Sequence, residues 1–281
     1  MCSCLCIYCT VGQVVRTLPQ GEPVAGVTSL DGIIFVLRWK KRDQVELYDV
    51  VTYQFQRCLT VPNSRGFGDM TSCKEYRYVY IADHDVDCIH RLGLENAATQ
   101  WPVGDEPWGL SVNAAHNLLV ACRVVRKIKE FSSDGNLLRE IAPPDDVINF
   151  YHVIQVSDSQ LIVCHGDPDD ADHRLCKLSA DGRHIAHSHG DQRGSATDQY
   201  DVPIHLAVDN NEFVFVADVN NRRVTLLSPT LNYIRHVVSS NQLNMDPFRL
   251  CLDIQTRRLY VAYNEWKDGE YSTGHVVVFS V

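Results

Sequence analysis

A six-bladed β-propeller is the fold these 281 residues predict, and three observations carry it. One short apolar run recurs six times along the chain. Each copy has the same flanking strands before and after it. The last copy stops one strand short, and the N-terminal segment has the pattern of the missing strand.

The recurring run is Ile33-Ile34-Phe35-Val36, then Tyr78 to Ile81, Leu118 to Ala121, Leu161 to Cys164, Phe213 to Val216 and Leu259 to Ala262. Successive copies start between 40 and 52 residues apart, a period near forty-five. Each is β-branched or aromatic and bounded by Asp, Asn or Gly, the signature of a strand. Upstream lies another strand, as in Gly109-Leu110-Ser111-Val112 or His205-Leu206-Ala207-Val208. Downstream comes a third, as in Val45 to Tyr48 or Val224 to Leu227. A fourth follows a turn: Asp134-Gly135 precedes Asn136 to Glu140, and Asp181-Gly182 precedes Arg183 to Ala186. Glycine suits these turns because it takes positive φ without a Cβ clash.

Four antiparallel strands per repeat, six times over, is propeller arithmetic. A lone blade cannot cover both of its faces, so the six pack side by side around an axis. The predicted blades are about 21–61, 66–103, 106–142, 150–188, 202–239 and 246–281, with 10–19 closing the last. The sixth copy ends at its third strand, Val276 to Phe279, and Gly12 to Leu18 reads as its outer strand. Closure of that kind removes an open sheet edge.

Lys and Arg total 26 against 35 Asp and Glu, a net charge of −9, which speaks against a dedicated nucleic-acid binder. Apolar residues at 45% and charged residues at 22% fit a globular chain rather than a disordered one. No apolar run is long enough for a membrane span. Eleven cysteines, and an N-terminus without the pattern of a secretory signal, predict a reducing, cytoplasmic setting. Most cysteines sit in apolar runs as small buried hydrophobes. Cys2, Cys4, Cys6 and Cys9 form a leader over 1–9, with half the spacing of a metal site and no completing set. Acylation is its other functional reading, and a ragged terminus the plain one.

The fifth copy, PIHLAVDNNEFVFVADVNNRRVTLL, resembles an NHL repeat through Pro203, Leu206, Ala207, Val208, Asp209, Ala217, Asp218, Asn221, Arg223 and Val224. PWGLSV at 107–112 and YVYIAD at 78–83 are partial copies. The resemblance implies a propeller similar to the C-terminal domain of tripartite-motif proteins of the TRIM-NHL type. No RING, B-box or coiled coil precedes it in this sequence, so ubiquitin-ligase activity is not implied. Asp218 and Arg223 are expected to pair across their own hairpin.

In a propeller, the loops from second to third strand share one face with the connections between blades. Those loops alternate in sign: Arg38, Lys40, Lys41 and Arg42; Asp83, Asp85 and Asp87; Arg123, Arg126 and Lys127; Asp167, Asp169, Asp170 and Asp172. Blade five sets Arg222 and Arg223 against Asp218, and blade six sets Glu265, Asp268 and Glu270 against Lys267. Trp39, Trp101, Trp108 and Trp266 all fall in segments assigned to this face. Trp and Arg are the residue types that most often anchor interfaces. A mixed-sign ring suits a folded protein or peptide better than a phosphate backbone.

Aligned first strands put Gly26, Gly68, Gly109, His152, His205 and Arg249 at one position near the axis. Two imidazoles and a guanidinium there could hold a carboxylate or help bind a metal, although Arg249 would repel a cation and no carboxylate of the chain aligns with them. HGDPDDADH at 165–173 lacks the Gly and Glu of a calcium loop, and His184, His187 and His189 lack a fixed fourth ligand. No phosphate loop, nucleophile elbow or His-Glu-x-x-His pair occurs.

The sequence therefore reads as a monomeric, non-catalytic interaction module. It would bind a protein or peptide through Trp39, Lys41, Trp108, Arg123, Arg126 and Arg222, with His152, His205 and Arg249 at the channel mouth. No metal or cofactor is expected. The alternatives are single-stranded RNA on the same face, stacking on Trp108, and a lyase- or lactonase-like enzyme in the channel.

Overall fold

Each second strand is apolar throughout because it has a neighbouring blade on both sides. In β3 (Ile33–Arg38), Phe35 and Leu37 pack toward the second blade, while Ile34 and Val36 pack toward the sixth. The period-2 alternation of a strand thus feeds two cores at once. The computed structural model describes residues 11–281 apart from 42, 95–97, 167–168, 170–171 and 243–244. The cysteine leader, Arg42, Asp167 and Asp170 therefore lie outside the described residues.

Six sheets of four antiparallel strands make up the fold. Blade one is β2 (Val24–Leu30), β3, β4 (Gln44–Asp49) and β5 (Phe55–Thr60). Blade two is β6 (Phe67–Cys73), β7 (Tyr78–Asp83), β8 (Cys88–Gly93) and β9 (Ala98–Pro102). Blade three is β10 (Pro107–Val112), β11 (Leu118–Cys122), β12 (Lys127–Phe131) and β13 (Leu137–Ile141). Blade four is β14 (Phe150–Gln155), β15 (Leu161–His165), β16 (Arg174–Leu178) and β17 (Ile185–His189). Blade five is β18 (Pro203–Val208), β19 (Val214–Asp218), β20 (Arg223–Leu227) and β21 (Tyr233–Val238). Blade six is β22 (Asp246–Asp253), β23 (Arg258–Lys267) and β24 (Glu270–Ser280), completed by β1 (Gln13–Thr17). Six buried clusters, one per blade interface, form the core.

Closure works as the sequence predicts. β1 pairs antiparallel with β24, from Gln13 opposite Ser280 to Thr17 opposite Val277. Its side chains are exposed, so its hold is the backbone ladder and Leu18, 2% exposed just beyond it. Gly135 and Gly182 take positive φ at their turns as expected. The turn at Gly182 is longer than a two-residue hairpin, which moves the strand from Arg183–Ala186 to Ile185–His189. Among the described residues no helix is long and apolar enough to cross a membrane. The cysteines there are free thiols.

Candidate functional site at the axis and on the loop face

Every first strand carries one extra residue against its neighbour, a bulge that repeats in all six blades. The bulged positions are Ala25, Gly68, Trp108, Tyr151, Ile204 and Phe248. The next residue in each strand faces the interior near the axis: Gly26, Asp69, Gly109, His152, His205 and Arg249. This corrects the sequence alignment by one residue in blade two, where Asp69 takes the place assigned to Gly68. The pattern Phe-Gly-Asp-Met, set beside Pro-Trp-Gly-Leu and Pro-Ile-His-Leu, held that signal, and Gly68 disguised it by imitating the glycines of blades one and three.

The carboxylate that two imidazoles and a guanidinium would hold is thus the chain's own. Asp69 Oδ1 lies 3.1 Å from Arg249 Nε, and Oδ2 lies 3.3 Å from His205 Nε2 and 3.7 Å from His152 Nε2. The amide of Leu110 donates to Oδ2 at 2.9 Å. Arg249 also donates to the carbonyl oxygens of Gly68 and Phe248. All four side chains are buried, between 1% and 5% exposed, so they lie inside the channel and not at its mouth as expected from sequence. Gly109 makes room for them: a Cβ there would stand 2.2 Å from the Tyr151 carbonyl oxygen.

Donor accounting fixes the tautomers. The Leu250 amide donates to His205 Nδ1 at 3.3 Å, so the proton sits on Nε2 and goes to Asp69. His152 Nε2 is 2.9 Å from the Leu110 carbonyl oxygen and must donate to it, which leaves Nδ1 as a bare lone pair. Burial, then the neighbouring His205, pushes His152 down to about 3, and burial lowers His205 as well. Burial would raise Asp69, but His205 and Arg249 beside it hold it well below the usual carboxylate range. The result is one buried ion pair flanked by two neutral imidazoles.

Asp69, His152 and His205 do bring three possible ligand atoms within 4.8 Å. Both Nε2 atoms carry protons, however, and Arg249 already neutralises the carboxylate. A cation would have to break the contacts to Leu110 and Leu250 and displace a guanidinium. Asp83, Cys88 and His90 form a second such group. There, both carboxylate oxygens accept backbone amides from Arg65 and Gly66, and burial pushes the Cys88 thiol up to about 11, which keeps it protonated. Each set reads as a cross-link.

Beneath the axial cluster, a cavity of about 420 Å³ opens toward the turns between first and second strands, past Thr28, Ser72, Ser111 and Cys251. Above it, bulge residues form an apolar cap, with Ile204 packed against Tyr151 and Phe248. Trp39 meets Phe248 at 5.2 Å and Tyr271 at 5.3 Å between ring centroids. Trp108 stacks on His84 at 5.2 Å, and the Arg123 guanidinium lies 4.6 Å over Tyr151 and 5.7 Å over Trp108. The structure brings Trp39, Trp108 and Arg123 together on this face.

The other residues expected on the face have these surroundings. Lys41 is held 2.8 Å from Glu46, Arg222 lies 3.3 Å from Asp246, and Arg126 is exposed at a turn. Arg38 and Asp83 are strand-end residues buried within their blades: Arg38 pairs with Glu46 at 2.9 Å, and Asp83 lies 3.1 Å from His90. They are not loop charges. Trp101 lies in β9, packed on Tyr80 and Phe131 between blades two and three, away from Trp108. Asp218 and Arg223 pair at 2.8 Å, as expected.

Sequence reasoning also missed the β23–β24 hairpin. Its strands run 10 and 11 residues where most others run five to seven. The extra length carries Trp266, 57% exposed, beyond the loop face. The signal was the run Tyr263 to Ser272, which continues strand-like sequence past the apolar repeat.

The elements and site together define a six-bladed β-propeller with an ion-paired axis. No family model and no curated protein matches the sequence. Solved structures do. A PQQ-bound aldose sugar dehydrogenase from Streptomyces coelicolor is 13% identical, covering 95% of this chain and 98% of that one, with a TM-score of 0.67. A virginiamycin B lyase from Staphylococcus aureus is 10% identical over 96% and 99%, at 0.64. The Swd1 (Cps50) propeller domain of Myceliophteria thermophila is 10% identical over 96% and 99%, at 0.62. At such identities the likeness is one of fold.

Proposed function

We propose that this propeller is a non-catalytic interaction module, binding a protein or peptide on the face that bears Trp39, Trp108 and Trp266. The single observation that carries the reading is the overlong β23–β24 hairpin. It raises Trp266 into solvent and joins it through Tyr271, 4.8 Å away, to Trp39 and Phe248. Connected, partly exposed aromatics on a rigid frame are the usual anchors of an interface. The Asp218–Arg223 pair and the backbone contacts of both residues fit the NHL-like repeat in blade five.

Two features weigh against the RNA reading. Lys127 is 2.8 Å from Glu140 and Arg222 is paired with Asp246, so these cations are already committed. Trp108, the expected stacking platform, carries His84. The proton accounting at the axis weighs against channel chemistry, since the one imidazole nitrogen it leaves open, His152 Nδ1, is a weak base lowered to about 3, and Asp69 and Arg249 are already paired with each other.

The test is capture from lysate by the full chain beside Trp266→Ala/Arg126→Glu, with and without ribonuclease. A protein partner that survives ribonuclease and is lost in the variant supports the reading. Partners that vanish with ribonuclease overturn it in favour of RNA, and identical capture by both proteins removes this face from consideration.

A further inference from the structure

The first strand of each blade pairs along one edge only, so its other edge faces the axis. Such an edge presents N–H and C=O groups by turns, and each needs a partner. At the axial cluster the chain supplies the partners itself. The Leu110 and Leu250 amides donate to Asp69 and His205, and the Leu110 carbonyl oxygen accepts from His152. Below the cluster lies the cavity of about 420 Å³. Its polar lining comes from five blades: Thr28 of blade one, Ser72 of blade two, Ser111 of blade three, His152 of blade four and Cys251 of blade six.

The hydroxyl protons in this lining are already spent. Thr28 Oγ1 donates to Ser72 Oγ at 2.9 Å, and Ser72 Oγ donates to the Ser29 carbonyl oxygen at 3.0 Å. Ser111 Oγ donates to the Val153 carbonyl oxygen at 2.7 Å. What these side chains keep is lone pairs. His152 Nδ1 adds a buried one that has no partner among the described residues, and burial keeps that ring neutral. A buried acceptor left bare is costly, so an occupant of the cavity gains by bringing donors. It gains nothing by bringing charge, because Asp69 and Arg249 neutralise each other at 3.1 Å.

We infer that this cavity binds a neutral cyclic polyol, a single ring with hydroxyl groups around its rim. Acceptors that encircle the axis need donors on several sides of the ligand, which a molecule with one polar end does not offer. Each hydroxyl of such a ring can donate to a side-chain lone pair and accept from an N–H of a strand edge. Leu110, Leu206 and Leu250 give its carbon atoms an apolar wall. An ion would give up its hydration for a place whose buried charges already cancel. The cavity opens on the face opposite the loops that bear Trp39 and Trp108, so the inference goes beyond the interaction reading and does not depend on it.

The test follows the imidazole nitrogen resonances of the full chain, labelled in histidine, while myo-inositol or methyl β-D-glucopyranoside is added. The His152 signals are assigned by their loss in His152→Gln. The expected result is a saturable shift of His152 Nδ1 as it accepts a hydrogen bond, with Nε2 keeping its proton, and a rise in melting temperature with ligand concentration. The stronger of the two probes tells a carbocycle from a sugar ring. Cyclohexanol, the same ring with one hydroxyl, should bind at least about tenfold more weakly, since each lost hydrogen bond is worth about 1 kcal/mol. Glucosamine and glucuronate, rings with a positive and a negative charge, should also bind more weakly than the neutral probes. Ser111→Ala should weaken the polyol about three- to tenfold and leave cyclohexanol less affected. No saturable shift with either polyol would mean that the cavity takes water only, and would overturn the inference. Cyclohexanol or a charged ring binding as tightly as the neutral polyols would overturn it too, as would unchanged polyol binding in folded Ser111→Ala. The ligand series on the unaltered chain decides the matter even where that variant does not fold.

Discussion

Asp69 of blade two and His205 of blade five stand on opposite sides of the ring and meet at 3.3 Å across the axis. Through the same carboxylate, blade two also reaches Arg249 of blade six and the Leu110 amide of blade three. His152 of blade four joins by its bond to Leu110. Five blades are therefore tied at one buried point. Elsewhere each blade is held mainly to its two neighbours by apolar side chains, which fix spacing but carry little directional information.

That arrangement predicts a large effect from a small change. Asp69→Asn keeps the shape and removes the charge, so Arg249 is left buried without its counter-ion. Breaking a buried pair from one side costs about 3–5 kcal/mol. Urea unfolding should show a loss of that order, and a loss under about 1 kcal/mol would mean that the axial pair does not hold the ring.

The ring itself was legible because six copies of one apolar run repeat at a fixed interval, and the closing strand was legible because one copy was short. Site detail was harder to read, for local reasons. A bulge adds a residue without leaving a mark in composition, so Gly68 could take the place of Asp69 in an alignment. Strand ends shift by a residue or two, which turned the buried Arg38 and Asp83 into loop charges and made a loop residue of Trp101, which sits in a strand. Paired charges on the surface cannot be told from free ones in a sequence, as Lys41 and Arg222 show.

The two axial imidazoles should make the fold acid-sensitive well above the carboxylate range. His152 titrates near 3 when folded and near 6.5 when unfolded, so between those values the unfolded chain binds the extra proton. Stability is then full above about pH 6.5 and falls by about 1.4 kcal/mol per pH unit for this group as pH drops toward 3. His205, also lowered by burial, acts with the same sign, and so do His189, His236 and His275. Asp69 adds its share only below about pH 4, where the unfolded carboxyl begins to protonate. Comparison with His152→Gln isolates one proton: its stability-versus-pH slope between about pH 4 and 5.5 should be shallower by that amount. Parallel slopes would show that His152 is charged in the folded chain.

Closure of the ring can be separated into its ladder and its anchor. Leu18 is 2% exposed within the interface between blades six and one, whereas Val15 in β1 is 39% exposed. Leu18→Ala should cost about 2–5 kcal/mol, the range for a buried leucine, and Val15→Ala under about 0.5 kcal/mol. Thermal melts of the two variants decide it. Similar small losses would mean that the backbone ladder between β1 and β24 closes the ring unaided.

Gly109 tests whether the axial cluster depends on close approach of neighbouring first strands. A methyl group there would meet the Tyr151 carbonyl oxygen at 2.2 Å and the His152 Cα at 3.0 Å, and neither can move without shifting the strand that carries His152. Gly104 offers the control: its φ is +78°, and nothing lies within 4 Å of an added Cβ. Gly104→Ala should cost about 1 kcal/mol, the strain of a left-handed residue alone. Gly109→Ala should cost about 3 kcal/mol or more by overpacking, and should move the imidazole resonances of both His152 and His205. Equal losses in the two variants would mean that the first strands can spread apart freely, and that the contacts of Asp69 do not fix the width of the channel.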